Sequence, residues 1–279
     1  MKEFKIGLLV LFIFFAFARN CVYAKAYMSD IELIKSIQKY DKKINKNPDS
    51  AKLYIKRGFL KFCLKDYGSA LEDYTSAEEL EPKNANIFYS RGRVWFECKK
   101  YNFALEDYDK AITLSPKDSK IYLSRGMAKD KLNDIDGAFN DYNLAIKYNK
   151  HLRDAYVNRG IIYDKQGNYD RALGDYYKAL KLRKYGPDAY YNIGLTHCKM
   201  NQFDDAIEDF TEAIKQNPNY SLAYYHRGLV YLELDNQQFA KSDLQKAYQL
   251  DPKNNEIKEH LDNLNKKLNK MLEYEEFYY

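Results

Sequence analysis

From residue 51 to residue 254, apolar residues recur at helical spacing on either side of short polar breaks such as the one from Lys165 to Asn168. The spacing predicts pairs of helices of about twelve residues, each pair closed by a turn. Three small positions keep a common period of 34 residues. Gly58, Gly92, Gly126, Gly160, Gly194 and Gly228 form one series. Ala70, Ala104, Ala138, Ala172, Ala206 and Ala240 form a second, and Ala77, Ala111, Ala145, Ala179, Ala213 and Ala247 a third. Large residues hold the phases between them. Tyr54, Phe88, Tyr122, Tyr156, Tyr190 and Tyr224 lie four before the glycines, and Tyr74, Tyr108, Tyr142, Tyr176, Phe210 and Leu244 lie sixteen after. Two helices of a hairpin approach closely only where one offers Gly or Ala, and bulky neighbours then fill the space beside the crossing. Pro48, Pro82, Pro116, Pro218 and Pro252 share one phase at the unit boundaries, and Pro187 sits three residues late behind Gly186. None interrupts a helix interior, as helix continuity requires.

These phases resemble the tetratricopeptide repeat (TPR), whose signature of Trp or Tyr, Gly, Tyr, Ala, aromatic, Ala and Pro returns every 34 residues. The resemblance spans six repeats, 51–84, 85–118, 119–152, 153–186, 187–220 and 221–254. It implies an all-α fold, a right-handed superhelical solenoid of helix-turn-helix repeats. Departures are local. Lys150 and Lys184 replace the closing proline, Ile135 and Gln237 the aromatic that opens the second helix, and Lys61, Lys129 and His197 the mid-helix Tyr. The flanks read as caps. In residues 25–50, Ser29 and Glu32 form a capping box ahead of Ile34, Ile37, Tyr40 and Ile44, a second helix without its first. In residues 255–279, Ile257, Leu261, Leu264, Leu268 and Leu272 make a narrow apolar stripe on a charged helix, suited to covering the end of a repeat stack.

Charge adds a second ladder. The residue before the phased glycine is Arg57, Arg91, Arg125, Arg159 and Arg227, interrupted by Ile193, while Asp73, Asp107, Asp141, Asp175, Asp209 and Asp243 stand fifteen after. Antiparallel register brings each Arg near the Asp of its own repeat. Asp209, without an arginine, is expected to be solvated or hydrogen-bonded elsewhere, and the alternative for the whole ladder is a solvent-facing pair of little worth.

The chain is 46% hydrophobic with 28 Tyr and 15 Phe, which excludes intrinsic disorder. Lys plus Arg exceeds Asp plus Glu by 45 to 40. The surplus is too diffuse for a nucleic-acid partner, which needs a basic patch. Lys2 and Lys5 precede an apolar run from Ile6 to Ala18, and Val22 and Ala24 suit a signal peptidase. Residues 1–24 therefore read as a signal peptide, and the mature chain is expected in the periplasm or outside the cell with no membrane span. Lipidation at Cys21 is disfavoured, because Ala18, Arg19 and Asn20 do not form a lipobox. Cys63, Cys98 and Cys198 remain, an odd set without metal or disulfide spacing that reads as small packing residues.

No catalytic, cofactor or metal site is expected. His151, His197, His226 and His260 fall at different phases and read as surface or groove residues. The stretch from Asp134 to Gly137 has Leu132 and Asn143 where a calcium loop needs Asp and Glu. Acidic pairs such as Glu72 with Asp73 recur with the repeat and belong to the scaffold.

The resemblance instead implies a concave face built from residues three before, one after and four after each glycine. These are Ile55, Phe59 and Phe62; Tyr89, Arg93 and Phe96; Leu123, Met127 and Asp130; Val157, Ile161 and Asp164; Tyr191, Leu195 and Cys198; Tyr225, Leu229 and Leu232. TPR domains that hold a chaperone's C-terminal carboxylate carry Lys and Asn at the first two phases, and neither occurs there. Most of the lining is apolar, so something is expected to cover it. One cover is a helix or extended peptide of a partner protein, anchored on the aromatics and Arg93. The other is the chain itself, through the adjacent repeat or the tail from Glu273 to Tyr279. A different function, recognition of a small ligand or cell-wall glycan, would use Tyr89, Tyr191 and Tyr225 to stack on sugar rings.

Overall fold

The computed structural model describes residues 29–182 and 186–278, with side chains as far as residue 270. The proposed signal segment with Cys21, Lys184 at its boundary phase, and Tyr279 lie outside the described residues. Of the tail, Glu273 to Tyr278 are described as helical backbone alone.

Fourteen α-helices and no strand occur among the described residues, arranged in two compact units. The first runs to Asn149. After α1 (Asp30–Lys46) it holds three hairpins: α2 (Ala51–Cys63) with α3 (Tyr67–Leu80), α4 (Ala85–Glu97) with α5 (Tyr101–Leu114), and α6 (Ser119–Lys131) with α7 (Ile135–Tyr148). The second, from Lys150, holds α8 (Arg153–Lys165) with α9 (Tyr169–Leu182), α10 (Pro187–Lys199) with α11 (Phe203–Gln216), and α12 (Ser221–Glu233) with α13 (Gln237–Leu250). It ends in α14 (Asn255–Tyr278). The first helix of each hairpin has 13 residues and the second 14, slightly longer than the sequence spacing suggested.

Each hairpin turns at one residue in the left-handed region: Lys65, Lys99, Asn133, Gly167, Asn201 and Asp235, with φ between 53° and 76°. The next amide then reaches back into the helix just ended, as Asp66 N donates to Lys61 O at 3.0 Å and Gln202 N to His197 O at 2.9 Å. That bond satisfies a carbonyl otherwise orphaned at the helix end. Pro187 is late in phase because it opens α10 as its first residue, behind Gly186 as the cap.

The small-against-large rule is met within each hairpin. A Cβ added at Gly92, Gly126, Gly160 or Gly194 would lie between 2.6 and 2.8 Å from the ring of Tyr108, Tyr142, Tyr176 or Phe210. At Gly58 and Gly228 the nearest atoms are the Asp73 Cβ and the Leu244 Cγ, both at 3.2 Å. Both alanine series are wholly buried. The ends are covered as expected. Ser29 Oγ accepts from Glu32 N at 3.3 Å, the Glu32 carboxylate accepts from Ser29 N at 2.8 Å, and Leu33 of α1 packs on Phe59 and Cys63. At the other end Ile257, Leu261 and Leu264 of α14 pack on Tyr225 and Leu244.

The charge ladder is buried, so the solvent-facing alternative falls. Asp73, Asp107, Asp141, Asp175 and Asp243 are each no more than 7% exposed. Each is gripped by two guanidinium nitrogens of its own repeat's arginine, from Arg57 on Asp73 at 2.6 and 3.0 Å to Arg227 on Asp243 at 2.7 and 2.9 Å. In Arg57, Arg91, Arg125 and Arg227 the remaining Nη1 crosses to the preceding helix. Arg57 reaches Asp41 of α1 at 2.7 Å, Arg91 reaches Glu78 of α3, Arg125 reaches Asp109 of α5 at 2.7 Å, and Arg227 reaches Thr211 of α11 at 2.7 Å. One side chain thus ties a hairpin internally and to its neighbour.

The departures at the mid-helix phase serve the same carboxylates. Lys61 Nζ lies 3.0 Å from Asp73, Lys129 Nζ 2.9 Å from Asp141, and His197 Nδ1 2.6 Å from Asp209. In the alternate repeats this phase is aromatic, and Trp95 packs on Phe103 at 5.2 Å and Tyr231 on Phe239 at 5.3 Å. His197 is therefore a buried residue, 9% exposed, and not the surface or groove histidine its irregular phase suggested. It stands in for the missing arginine, and Asp209 is hydrogen-bonded elsewhere as the ladder required. The substitution makes this rung titratable. Burial pushes the Asp209 carboxyl up to about 6, although the His197 bond pulls it down and Asp205 and Glu208 add to the rise. Because this folded value exceeds the unfolded one, the penalty of burying the carboxylate is fully present above pH 6 and is relieved as pH falls from about 6 toward 4. Between pH 7 and 5 the native chain should gain about 1 kcal/mol relative to Asp209→Asn, a figure reduced for partial solvent access. Urea midpoints of the two proteins at both pH values would check it, and parallel pH profiles would show that Asp209 does not titrate there.

Candidate functional site

The inner-face phases divide by burial. In the first unit Ile55 and Phe62 belong to the core with Tyr74, Ile87 and Val94, and Phe59 packs under α1. Tyr89 is 6% exposed and meets the Tyr108 ring at 6.2 Å, and Leu123 is also buried. Arg93 and Phe96 are half-buried, and Met127 is the exposed member, at 37%. In the second unit Val157 is buried, and Tyr225 is 2% exposed beneath α14. Ile161, Tyr191, Leu195 and Leu229 are half-buried. The first of the three phases is thus largely packing, whereas the second keeps contact with solvent from Arg93 onward.

Within that surface the two units differ chemically. In the first, the Arg93 guanidinium carbon lies 5.2 Å from the Phe62 ring centroid and 5.9 Å from that of Tyr89. In the second, Tyr191 lies 5.0 Å from Tyr220 and 5.6 Å from His226, which in turn meets Tyr225 at 5.0 Å. Burial holds His226 below its ordinary value, so its imidazole is neutral at pH 7 and packs as an aromatic. Burial likewise pushes Tyr191 up to about 12, with a contribution from Cys198.

Nucleophilic chemistry finds no support here. Burial, then Asp209, pushes the Cys198 thiol up to about 11, the reverse of what a thiolate nucleophile needs. The neighbouring His197 spends Nδ1 on Asp209. Cys63, Cys98 and Cys198 are free thiols, the first buried and the others half-buried. Among the described residues no group of three or more His, Cys, Asp or Glu is placed to hold a metal ion, and no helix is long and apolar enough to cross a membrane.

The role of His197 was missed in the sequence. The signal available was its alternation: Lys61, Lys129 and His197 occupy every second repeat at one phase, a pattern that points to a shared acceptor.

Comparison with known proteins agrees with this architecture. Family models described as tetratricopeptide repeat match residues 64–119, 119–151, 154–184, 187–220 and 222–254. No curated protein matches the chain. Among solved structures, the APC/C hetero-tetramer Cut9-Hcn1 superposes with a TM-score of 0.75 at 15% identity, over 88% of this chain and 48% of that one. The chain therefore spans about half the length of that structure. PilW, a type IV pilus biogenesis factor, superposes at 0.69 with 19% identity over 76% of this chain and 98% of its own. YrrB, a TPR protein with an unusual peptide-binding site, superposes at 0.53 with 25% identity over 66% of this chain and 95% of its own.

Proposed function

Because the chain belongs to the tetratricopeptide repeat family, whose members are in general non-enzymatic scaffolds, we propose that it is an exported scaffold holding a peptide or helix of a partner protein on its inner faces. The observation that carries this reading is the column one residue after the phased glycines from Gly92 onward. Arg93 and Met127 in the first unit, and Ile161, Leu195 and Leu229 in the second, combine solvent access with largely apolar character, the combination that a segment docked on either unit would cover. The likeness to YrrB supports a peptide as occupant. Export rests on the charged start, apolar run and cleavage pattern of residues 1–24.

Mature protein used as bait against envelope extract should capture a defined partner, and Ile161→Ser with Leu195→Ser, both in the second unit, should cut that capture about tenfold while helical circular dichroism is retained. Undiminished capture would remove the column from the binding surface. Mass spectrometry of the native protein should give a chain beginning at Lys25, and a chain that retains residues 1–24 would sink the cleavage reading and leave an uncleaved N-terminal anchor. Glycan recognition finds less support, since Tyr89 and Tyr225, at 6% and 2% exposure, have no ring face to offer a sugar.

A further inference from the structure

The first and last described helices differ in charge. As far as residue 270, α14 mixes Glu256, Glu259 and Asp262 with Lys258, Lys266 and Lys267. A cap needs only such a polar mixture to stay in water. At the other end of the chain the charge has one sign, for between Lys35 and Lys56 seven lysines stand against Asp41 and Asp49. Burial, Lys52 and Lys43 together hold the Lys56 ammonium below its ordinary value, so the lysines of α1 and α2 share one field.

The geometry of α1 gathers four of these lysines. Leu33 and Ile44 are its buried residues. Lys35 lies two residues beyond the first and Lys42 two before the second, about 200° around the helix and therefore on the opposite side. Ile31, Lys35, Gln38, Lys42 and Lys46 follow at intervals of three or four residues, which makes one face, and all are exposed, with Lys39 at the edge. The acids of α1 stand apart from it. Asp30 and Glu32 open the helix, Glu32 is closed onto Ser29 N at 2.8 Å, and Asp41 accepts from Arg57 at 2.7 Å.

Two observations name the kind of surface this face fits. Ile31 and Ile34 are 65% and 47% exposed at the start of the stripe, apolar area that a cap turned to water has no use for. The cations are all lysines, point charges without the fork that grips one carboxylate, and they suit a field of many phosphates. The apolar run from Ile6 to Ala18 also precedes α1 closely in the sequence, so this is the first helix after the segment read as meeting a membrane.

We propose that the outer face of α1 rests on an anionic phospholipid surface, with Lys35, Lys39, Lys42 and Lys46 among the headgroup phosphates and Ile31 at the acyl boundary. The contact is peripheral and independent of the inner-face column.

The test sediments the chain from Lys25 to Tyr279 with vesicles of phosphatidylcholine, either pure or with roughly one lipid in three replaced by phosphatidylglycerol. The anionic vesicles should bind it at least about tenfold more tightly, and added salt should release it. Changing Lys35, Lys39, Lys42 and Lys46 together to Glu should abolish the preference. The same change at Lys258, Lys266, Lys267 and Lys270, four exposed lysines of α14, alters net charge equally and should leave most of it. Ile31→Ser should weaken binding about threefold without altering its salt dependence. Circular dichroism shows whether each variant is folded, and Lys35→Gln with Lys42→Gln, a milder change, should still lose a several-fold part of the preference. Equal binding to both vesicles, binding to neither, or an equal loss from the α1 and α14 variants overturns the proposal. Tighter binding to a short DNA duplex than to anionic vesicles, lost in the same α1 variant, overturns it in favour of a nucleic acid. Partner capture by the folded α1 variant is expected to match that of the native chain, so either reading can fail without the other.

Discussion

Asp141→Asn should destabilise the chain by about 3 kcal/mol, more than the same change at a rung that answers a single cation. Asp141 is 1% exposed and answers two cations, with Arg125 at 2.6 and 2.9 Å and Lys129 at 2.9 Å. Removing its charge leaves both without their shared counter-ion, and their side chains are only 18% and 21% exposed. The loss stays near the lower end of the range for buried pairs because Arg125 keeps Asp109. Asp175→Asn removes the charge from a bidentate pair with Arg159 and should cost less. Asp209→Asn should cost least at pH 7, because burial already penalises the carboxylate that it removes. Urea midpoints of the three variants test the order. Equal small losses would mean that the ladder contributes no more than exposed pairs do.

Gly160→Ala should destabilise by about 2 kcal/mol, while Gly228→Ala should fall within about 0.5 kcal/mol of the native chain. Both glycines lie inside helices, where Ala is favoured by up to about 1 kcal/mol. At Gly160 that gain meets the ring of Tyr176, whose Cε1 would lie 2.6 Å from the new methyl carbon and whose side chain is fully enclosed. Overpacking of this kind costs about 1 to 3 kcal/mol, and a locked ring places it at the upper end. At Gly228 the nearest atom is the Leu244 Cγ at 3.2 Å, a contact that a displacement of a few tenths of an ångström relieves. Thermal unfolding of the two variants separates them, and a stabilised Gly160→Ala would contradict the small-against-large account of the hairpins.

The hairpins were legible because their determinants are local and repeated. Gly92 and Tyr108 face each other in one hairpin, only sixteen residues apart, so the constraint that joins them recurs at one period along the chain. The capping box at Ser29 and the same-repeat pairing of Arg125 with Asp141 were readable for the same reason.

What only the tertiary structure decided is whatever depends on the next helix over. Tyr89 and Arg93 both hold inner-face phases, yet the first packs against Tyr108 and the second keeps access to solvent. Tyr191 and Tyr225 share a phase, but α14 covers only the latter in its core. Periodicity fixes which way a residue points from its own helix. Burial is set by the bulk of whatever stands opposite, and that neighbour differs from repeat to repeat. His197 shows the same limit, since a phase that reads as a lost tyrosine became a buried partner once α11 brought Asp209 within 2.6 Å.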